Sequence, residues 1–347
     1  MSARHAVESA LQRLGVQLAT WSGLGLNPVT INRSVLSRDP FASEFRPREK
    51  TSRNGRCRLL RTRDRWIAIN LPRREDLEMV PALLGGDFHG DPWNEIELRC
   101  GKMESHAVLS NAHLLGIAAA ALGEVKRTRA AVDLHISPPD DAGTGVKWTH
   151  RPVVVDLSAL WAGPLCAALL AQAGCEVVKV ESKSRPDRSG NLNDAHFQHL
   201  NRGKTPWRID FNSSNERLEL MNRLNTADVI VTSARRRGLE SLGISPEACC
   251  GQNPQAIWIA ITGHGLYGEN ANRIGFGDDC AVAGGLVAYD ESRTPEFIYD
   301  AIADPLTGIR AAAIAFQALA LRRGRIVDVS LSETAGIINS WIESVDE

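Results

Sequence analysis

The second half of the chain alternates short, strongly apolar runs with longer stretches that favour helix. The runs at 153–157 and 176–181 are rich in valine, and the apolar stretch 163–173 between them stops at Gly174, so the three predict a βαβ unit. The pattern continues with a helix near 216–224, strands at 228–231 and 256–261, a helix from 304 to 320 and a strand at 326–329. Because parallel strands need crossover helices, this order predicts an α/β fold with a doubly wound, Rossmann-like parallel sheet.

The front part of the chain shows a different pattern. Residues 137–145 are rich in turn formers and contain no large apolar side chain, which predicts a linker. We therefore divide the chain into a smaller α+β segment, 1–145, and a Rossmann-like domain, 146–347. Within the smaller segment, 65–72 is expected to form a strand and 111–122 a helix. The first fifty residues have weak periodicity and give no clear prediction.

Net charge and composition exclude several classes of function. The 347 residues carry a formal net charge of -1, so no overall field attracts nucleic acid or an anionic membrane. The 43% hydrophobic and 23% charged residues are typical of a soluble globular protein. No apolar run approaches the ~18 residues of a membrane span, and the first residues lack the apolar core of a signal peptide. We expect a cytoplasmic protein with small-molecule substrates.

Metal-ligand patterns are weak in this sequence. The seven cysteines include no C-x-x-C pair, which argues against a disulfide framework and against a thiolate zinc site. His196 and His199 form an H-x-x-H, but the glutamate of a zinc-protease motif and an obvious third ligand are missing. We expect reduced, buried thiols and no metal.

A glycine motif at 263–268 matches G-x-G-x-x-G and follows a predicted strand. A dinucleotide site would require a helix directly after the glycines, whereas the residues that follow are polar and poor in helix signals. We interpret the motif as a flexible loop and do not expect NAD or FAD.

Asp304 begins the predicted helix 304–320. An aspartate followed by Pro305 is typical of an N-cap, and capping is the simple interpretation of this residue. The alternative is a catalytic carboxylate, whose charge the backbone N–H groups of a helix start would favour. The competing carboxylate, Asp300, is expected to be a solvated loop residue.

Several motifs occur in the order that is typical of one enzyme family. They are VVDL at 154–157, WAGP at 161–164, GCEVVKVE at 174–181, LNRGK at 200–204, ADVIV at 227–231, LESLGI at 239–244, ITGHG at 261–265, AD at 303–304 with TG at 307–308, and GRIVDVSL at 324–331. In this order the chain resembles the family III CoA-transferases, the superfamily that includes carnitine-CoA transferases and α-methylacyl-CoA racemase. The resemblance covers most of 150–340.

The resemblance implies an acyl-CoA:carboxylate CoA-transferase in which Asp304 is the nucleophile. The aspartate would form a mixed anhydride with the acyl group and then an aspartyl-CoA thioester. CoA thioesters would be substrates, and no permanently bound cofactor is implied. The family also forms interlocked dimers, which implies a homodimer here, or a complex with a related subunit.

By the same resemblance, a set of residues would contact CoA. Four are basic residues suited to phosphate, and two would leave open backbone beside the thioester. They are Arg185, Arg188, Lys204 and Arg235, followed by Ala162 and Gly163. The alternative for Ala162 and Gly163 is close helix packing, and for the basic residues a solvated charged face.

The sequence departs from the family pattern in three places. Phe276 stands where the racemase branch has a catalytic histidine, which argues against two-base proton transfer. No glycine-rich covering loop follows Gly285, and the family's smaller domain does not follow Trp341. Residues 55–72 resemble the strand pair that opens that smaller domain, and 115–120 its end, so a permuted order is expected. A non-catalytic CoA-binding subunit and an acyl-CoA racemase or isomerase remain the alternatives.

Overall fold

A computed structural model describes residues 3–38, 49–87, 89–125, 150–187 and 195–343. The strands are β1 Cys57–Arg61, β2 Trp66–Asn70, β3 Ala118–Ala121, β4 Val153–Asp156, β5 Glu176–Ser182, β6 Thr205–Ile209, β7 Val229–Thr232, β8 Ile257–Thr262, β9 Ala288–Tyr289, β10 Pro295–Glu296 and β11 Arg325–Ser330. The helices are α1 Ala3–Ser22, α2 Arg74–Glu78, α3 Val80–Leu84, α4 Pro92–Cys100, α5 Ser105–Leu115, α6 Ala162–Gln172, α7 Ala195–Asn201, α8 Ser214–Thr226, α9 Arg236–Ser241, α10 Pro246–Gln252, α11 Gly277–Ala283, α12 Ala303–Ala320 and α13 Leu331–Glu343. A 3₁₀ helix covers Arg33–Leu36.

The main sheet has six parallel strands in the order β11-β8-β7-β4-β5-β6, which confirms the predicted doubly wound α/β fold. Successive residues of a strand point to opposite faces, so Val154 joins a core formed with α1, α6, α12 and α13, whereas Val155 joins a core formed with α8, α9 and α10. The sequence analysis missed β6. The sequence signal for β6 is weak because the strand contains Pro206 and most of its residues are exposed. Both features are compatible with a strand at the edge of the sheet.

Helix α12 lies at the centre of the first core, and nearly every residue from Pro305 to Leu319 is buried. It packs against α1, α6 and α13. Its closest approach to α6 is at Gly308, where a Cβ atom would lie 2.6 Å from the backbone oxygen of Ala162. The two helices can approach this closely because Gly308 has no side chain.

A smaller unit has its own core. Strands β1, β2 and β3 form an antiparallel sheet, and α3, α4 and α5 cover it. The predicted helix 111–122 was wrong in its second half, because α5 ends at Leu115 with Gly116 in the left-handed region and the alanine run forms β3. Pairing with β2 and complete burial override the helix propensity of alanine.

The first helix belongs to the core of the parallel sheet. The buried residues of α1 recur at helical spacing and pack with α12, and Leu36 of the 3₁₀ helix joins the same core. The front segment therefore contributes to both cores, while the division of the chain near residue 145 stays a prediction. None of the helices in the described residues is long and apolar enough to cross a membrane.

Gly308→Ala should destabilise the protein, because the new methyl group would overlap the Ala162 oxygen in a packed core. We expect a loss of about 1–3 kcal/mol in the free energy of unfolding, measured by urea denaturation. Gly251→Ala is the matched control, since this glycine lies in helix α10 with open space around it. The control should be neutral or stabilising, and equal midpoints for the two variants would contradict the packing argument.

Candidate active site

The residues before α12 hold an unusual backbone conformation. Tyr299 and Ala301 have φ values of 59° and 45°, in the left-handed region that residues other than glycine rarely adopt. Ala301 is held there by two hydrogen bonds: its N–H donates to Asp278 at 3.0 Å, and its oxygen accepts from the Asp304 N–H at 2.8 Å. Such local strain is concentrated at functional sites.

Asp304 lies in the first turn of α12 and is not its N-cap, so the capping interpretation was wrong. The N-cap is Ile302, whose side chain makes no cap hydrogen bond. The helix begins one residue earlier than predicted because the turn at Ala301 starts it, and Pro305 still falls in the first turn. Asp304 is therefore free of the capping role that was the main alternative to catalysis.

Four carboxyl groups meet at this end of α12. Asp278 and Asp279 open helix α11, Asp300 precedes α12, and Asp304 lies in its first turn. Asp278, Asp279 and Asp300 are at most 5% exposed, whereas Asp304 as a whole residue is only partly buried. The expectation that Asp300 is solvated was wrong. It is buried, and its Oδ1 lies 3.5 Å from the Arg38 guanidinium.

Burial is the main influence on the charge of this cluster. It raises the pKa of Asp278, Asp279 and Asp304 to about 7 in each case. Repulsion from neighbouring carboxyl groups raises the pKa of Asp304 further, and Arg38 opposes both effects. These groups therefore exchange protons near neutral pH, where a carboxylate can act either as nucleophile or as base.

Gly277 forms the wall beside Asp304. Its backbone N–H lies beside the Asp304 carboxyl and acts to lower the pKa of that group. A Cβ at this position would lie 2.7 Å from Asp304 Oδ2 and 2.4 Å from the Ala301 oxygen. Glycine is thus required for the carboxyl to sit against the start of α11.

Arg38 is the cation of this site, and the sequence analysis missed it. Its guanidinium pairs with Asp300 and lies 5.2 Å above the centre of the Trp161 ring. The only sequence signal was its position in an arginine-rich stretch without clear periodicity. Nothing in that stretch indicates that it reaches residues more than 120 positions away along the chain.

Lys204 has a structural environment that does not favour the predicted phosphate contact. Its ammonium is buried and donates to Asp156 at 2.9 Å, to the Pro164 oxygen at 2.8 Å and to Asn201 at 3.2 Å. An ammonium has three N–H donors, and all three are used. Lys179, also buried, lies 3.7 Å from the same Asp156 carboxylate and donates to the Ser158 oxygen.

This buried charge network holds the loop between β4 and α6. Asp156 accepts from the backbone N–H of Ser158 at 3.0 Å and also from its hydroxyl. The two neighbouring lysines outweigh the penalty of burial and lower the pKa of Asp156, so the carboxylate stays charged. The loop that carries the predicted CoA contacts is therefore fixed by ion pairs below it.

Ala162 and Gly163 open α6 at the end of this loop. A Cβ on Gly163 would lie 2.2 Å from the Ser158 Cβ, and the Ala162 oxygen faces Gly308 of α12. Both residues are buried and have the close-packing role that was the alternative interpretation. Contact with CoA stays a prediction for them.

The other predicted CoA ligands differ in setting. Arg185 is exposed in the loop after β5, whereas Arg188 lies outside the described residues. Arg235 is the N-cap of α9, is partly buried and donates weakly to the Asn272 oxygen at 3.4 Å. Partial burial, followed by repulsion from Arg237 and Arg73, lowers its pKa. The structure does not bring Arg185 and Arg235 into a common contact.

The glycine motif at 263–268 forms a loop, as predicted. No helix follows until Gly277, and the first glycine serves a close approach of two backbones, because a Cβ on Gly263 would lie 2.9 Å from Gly275. Gly265 and Gly268 adopt φ values of 111° and 80°. These glycines therefore have local structural roles without a dinucleotide.

Three ligand-type atoms near Asp304 could in principle hold a metal ion. His264, Asp279 and Cys280 place one such atom each within 4.8 Å of one another. The Asp279 carboxylate, however, already accepts from the Asn70 amide at 2.9 Å and from the Phe276 N–H at 3.1 Å. The Cys280 thiol donates to the Gly263 oxygen, and burial holds its pKa well above the ordinary value. The existing hydrogen bonds account for the cluster without a metal.

A polar cleft opens at the carboxyl ends of β8 and β11, where ligands of open parallel sheets bind. Arg273 lies in this cleft and pairs with Glu124 of the smaller unit at 2.5 Å. The cleft is lined by Glu124, Val125, His264, Gly265, Asn270, Arg273, Asp328, Ser330, Ser332 and Glu333.

Comparison with known proteins identifies the family. The model of CoA-transferase family III matches residues 152–342. The chain belongs to this family. It is similar to the succinyl-CoA–D-citramalate CoA-transferase of Chloroflexus aurantiacus, with 30% identity over 52% of this chain and 48% of that protein. It is also 26% identical to the human alpha-methylacyl-CoA racemase, over 54% of this chain and 49% of that protein.

A solved structure supports the same assignment. The CAIB/BAIF family protein from Brucella suis is 28% identical and superposes with a TM-score of 0.52, over 56% of this chain and 57% of that one. The chain spans about half the length of the curated relatives it matches. The family assignment therefore rests on the parallel-sheet unit that contains Asp304.

Lys204→Ala should destabilise the fold, because it leaves the buried Asp156 carboxylate with only the more distant Lys179. We expect a loss of about 3 kcal/mol in the free energy of unfolding, measured by denaturant titration. The control is Lys183→Ala, which breaks an exposed pair with Glu216 and should change stability far less. Weakened CoA-ester binding by Lys204→Ala at unchanged stability would instead support the phosphate contact.

Proposed function

We propose that the protein is an acyl-CoA:carboxylate CoA-transferase with Asp304 as its nucleophile. One observation carries the proposal: of the four carboxyl-bearing residues that meet before α12, Asp304 alone is not fully buried. It also lies beside the N–H of Gly277, at the strained start of a helix. Membership of CoA-transferase family III supports this reaction class.

The transfer proceeds through covalent intermediates on the carboxyl group. The Asp304 carboxylate attacks the thioester carbonyl of the donor, and CoA thiolate leaves to give a mixed anhydride. The thiolate then attacks the aspartyl carbonyl, which releases the donor acid and forms an aspartyl-CoA thioester. The acceptor carboxylate attacks this thioester, and the returning thiolate takes the acyl group from the second anhydride. The last step regenerates the free aspartate.

The electrostatics of the site suit such a nucleophile. A carboxylate whose pKa is raised to about 7 is more basic than ordinary aspartate, and it is still substantially ionised at neutral pH. A hydrogen-bond donor that faces the carboxyl group can also stabilise the oxyanion that forms when a nucleophile adds to the aspartyl carbonyl. The Gly277 N–H is such a donor.

The substrates are proposed at the level of chemical class only. Relatives are named as transferring CoA between small dicarboxylic acids, such as succinate and glutarate, and this chain is proposed to use a CoA thioester and a carboxylic acid. Because the family resemblance implies interlocked dimers, we also propose assembly as an interlocked homodimer or with a related subunit. Cytoplasmic location stays a prediction.

Racemase activity is the main enzymatic alternative, because the human racemase is among the relatives. Two-base proton transfer needs a second base opposite Asp304, and Phe276 provides none. His264 is the nearby histidine, but burial, followed by Arg273 and His113, lowers its pKa to about 3. A group with this pKa is a weak base at neutral pH, so the geometry favours transfer over racemisation.

Asp304→Asn tests the nucleophile directly. The amide keeps the shape of the side chain but cannot form an anhydride, so CoA transfer should fall by at least ~10³-fold. Thermal stability should not fall, because the change removes a carboxyl whose ionised form is disfavoured by burial. Intact-mass spectrometry after incubation with a panel of acyl-CoA thioesters should show a CoA adduct on the wild type and none on the variant.

The control for this experiment is Asp290→Asn, which changes an exposed turn aspartate far from any proposed chemistry. It should retain full transfer. Transfer by Asp304→Asn within a few-fold of the wild type would end the proposed mechanism. A wild-type protein that binds acyl-CoA without forming an adduct would favour the non-catalytic CoA-binding subunit.

A separate experiment addresses racemisation. Without a second base, the protein should not exchange the α-proton of a 2-methylacyl-CoA with solvent deuterium, as measured by mass spectrometry of the recovered thioester. The Asp304→Asn variant supplies the comparison. Rapid exchange by the wild type that disappears in the variant would favour the racemase.

A further inference from the structure

The carboxyl cluster before α12 concentrates negative charge where the proposed chemistry needs one ionised group. Asp278, Asp279, Asp300 and Asp304 face one another, and Cys280 lies beside them. Nearby on the side of the smaller unit, Arg273 is paired with Glu124, and His264 contacts the thiol of Cys280. The cation that acts on both Asp278 and Asp304 is Arg38.

Arg38 reaches the cluster from a segment that precedes the family-matching residues 152–342. Helix α1 anchors the segment against α12, and the buried Leu36 fixes it two residues before the arginine. The Asn32 side chain caps the intervening 3₁₀ helix by accepting from the Ser34 N–H at 2.9 Å. The packing of α1, the buried Leu36 and the Asn32 cap therefore fix the direction of the backbone at Arg38.

The contacts of Arg38 fit an electrostatic role. Its guanidinium lies over the ring of Trp161, which is the residue directly before Ala162, so it sits between the β4–α6 loop and the start of α12. The contact with Asp300 is long, at 3.5 Å, and about a third of the Arg38 side chain remains exposed. The arginine is held by stacking while its charge faces the carboxyl groups.

We propose that Arg38 is a positioning residue that keeps Asp304 in its ionised, nucleophilic form. The effect on catalysis rests on the proposed function, whereas the effect of Arg38 on the protonation of Asp304 does not depend on the reaction. By pairing with Asp300, Arg38 offsets one of the two carboxyl groups that repel Asp304, and its own charge stabilises the Asp304 carboxylate. Without the arginine, a proton from solvent would occupy Asp304 at neutral pH.

The test measures the titration of Asp304 and the pH profile of transfer in the same variants. Arg38→Gln should raise the pH at which Asp304 titrates by about one to two pH units, the effect of removing a nearby opposite charge. The carboxyl carbon of Asp304 is followed by ¹³C NMR of labelled protein without substrate and is assigned by its loss in Asp304→Asn. The acid limb of kcat should move to higher pH by the same amount, with recovery of the rate at alkaline pH.

Two further variants make the result specific. Arg38→Lys keeps a positive charge and should restore most of the wild-type titration, whereas Asp300→Asn removes a negative charge and should shift Asp304 to lower pH. Arg13→Ala is the matched control, since it removes an arginine of the same front segment whose guanidinium lies 4.4 Å from the centre of the Trp341 ring. It should leave both the titration and the pH profile unchanged.

The outcomes separate this inference from the proposed function. If Arg38→Gln leaves the Asp304 titration unchanged while Asp304→Asn abolishes transfer, the role of Arg38 is refuted and the nucleophile stands. A shifted titration in a protein that forms no CoA adduct supports the role of Arg38 and refutes the transferase mechanism. If Arg38→Gln does not fold, Arg38→Met takes its place as a second uncharged variant, and an unchanged Asp304 titration in Arg38→Met refutes the inference.

Discussion

The contact of helix α12 with α6 sets the position of every group in the candidate site. The two helices meet at Gly308, where the bare backbone lies against the Ala162 oxygen. Asp304 is one turn away on α12, and Ala162 begins the helix that follows the β4 loop. Because α1 and α13 pack on the same helix, α12 has little room to slide or rotate. The first turn of α12 is thus fixed relative to the carboxyl ends of the strands.

The molecule handles buried charge in two different ways. Asp156 is surrounded by Lys179 and Lys204, which keep its pKa low and make the group structural. The cluster at α12 has more carboxyl groups than cations, and its pKa values near 7 lie above the ordinary 3.8. The folded protein then binds protons that the unfolded chain releases, so the cluster's contribution to stability is full below pH 3.8 and is lost as pH rises to about 7. Because these buried carboxyl groups make the folded protein less stable at neutral pH than at acidic pH, we expect the site to have a function.

Local pattern in the sequence predicted the parallel sheet and the helix that begins near Asp304, because strands buried on both faces appear as short apolar runs separated by longer helical stretches. Contacts between distant residues could not be predicted in the same way. Asp300 looked like a loop residue, and its burial depends on Arg38, which lies more than 250 positions earlier. Lys204 looked like a phosphate ligand, since the sequence does not show that Asp156 lies beneath it. The alanine run at β3 favoured a helix until pairing with β2 decided otherwise.

The front segment completes the site from two directions. Arg38 approaches Asp300 along the α1 side, and Asn70 at the end of β2 donates to Asp279 at 2.9 Å from the smaller unit. A shared apolar cluster of β1, β2 and residues 282–297 fixes the smaller unit beside α11. The family-matching residues include Asp304, the proposed nucleophile, whereas residues before them supply Arg38, which pairs with Asp300, and the Asn70 amide, which bonds Asp279. The chemistry of Asp304 therefore depends on parts of the chain that the family motifs do not include.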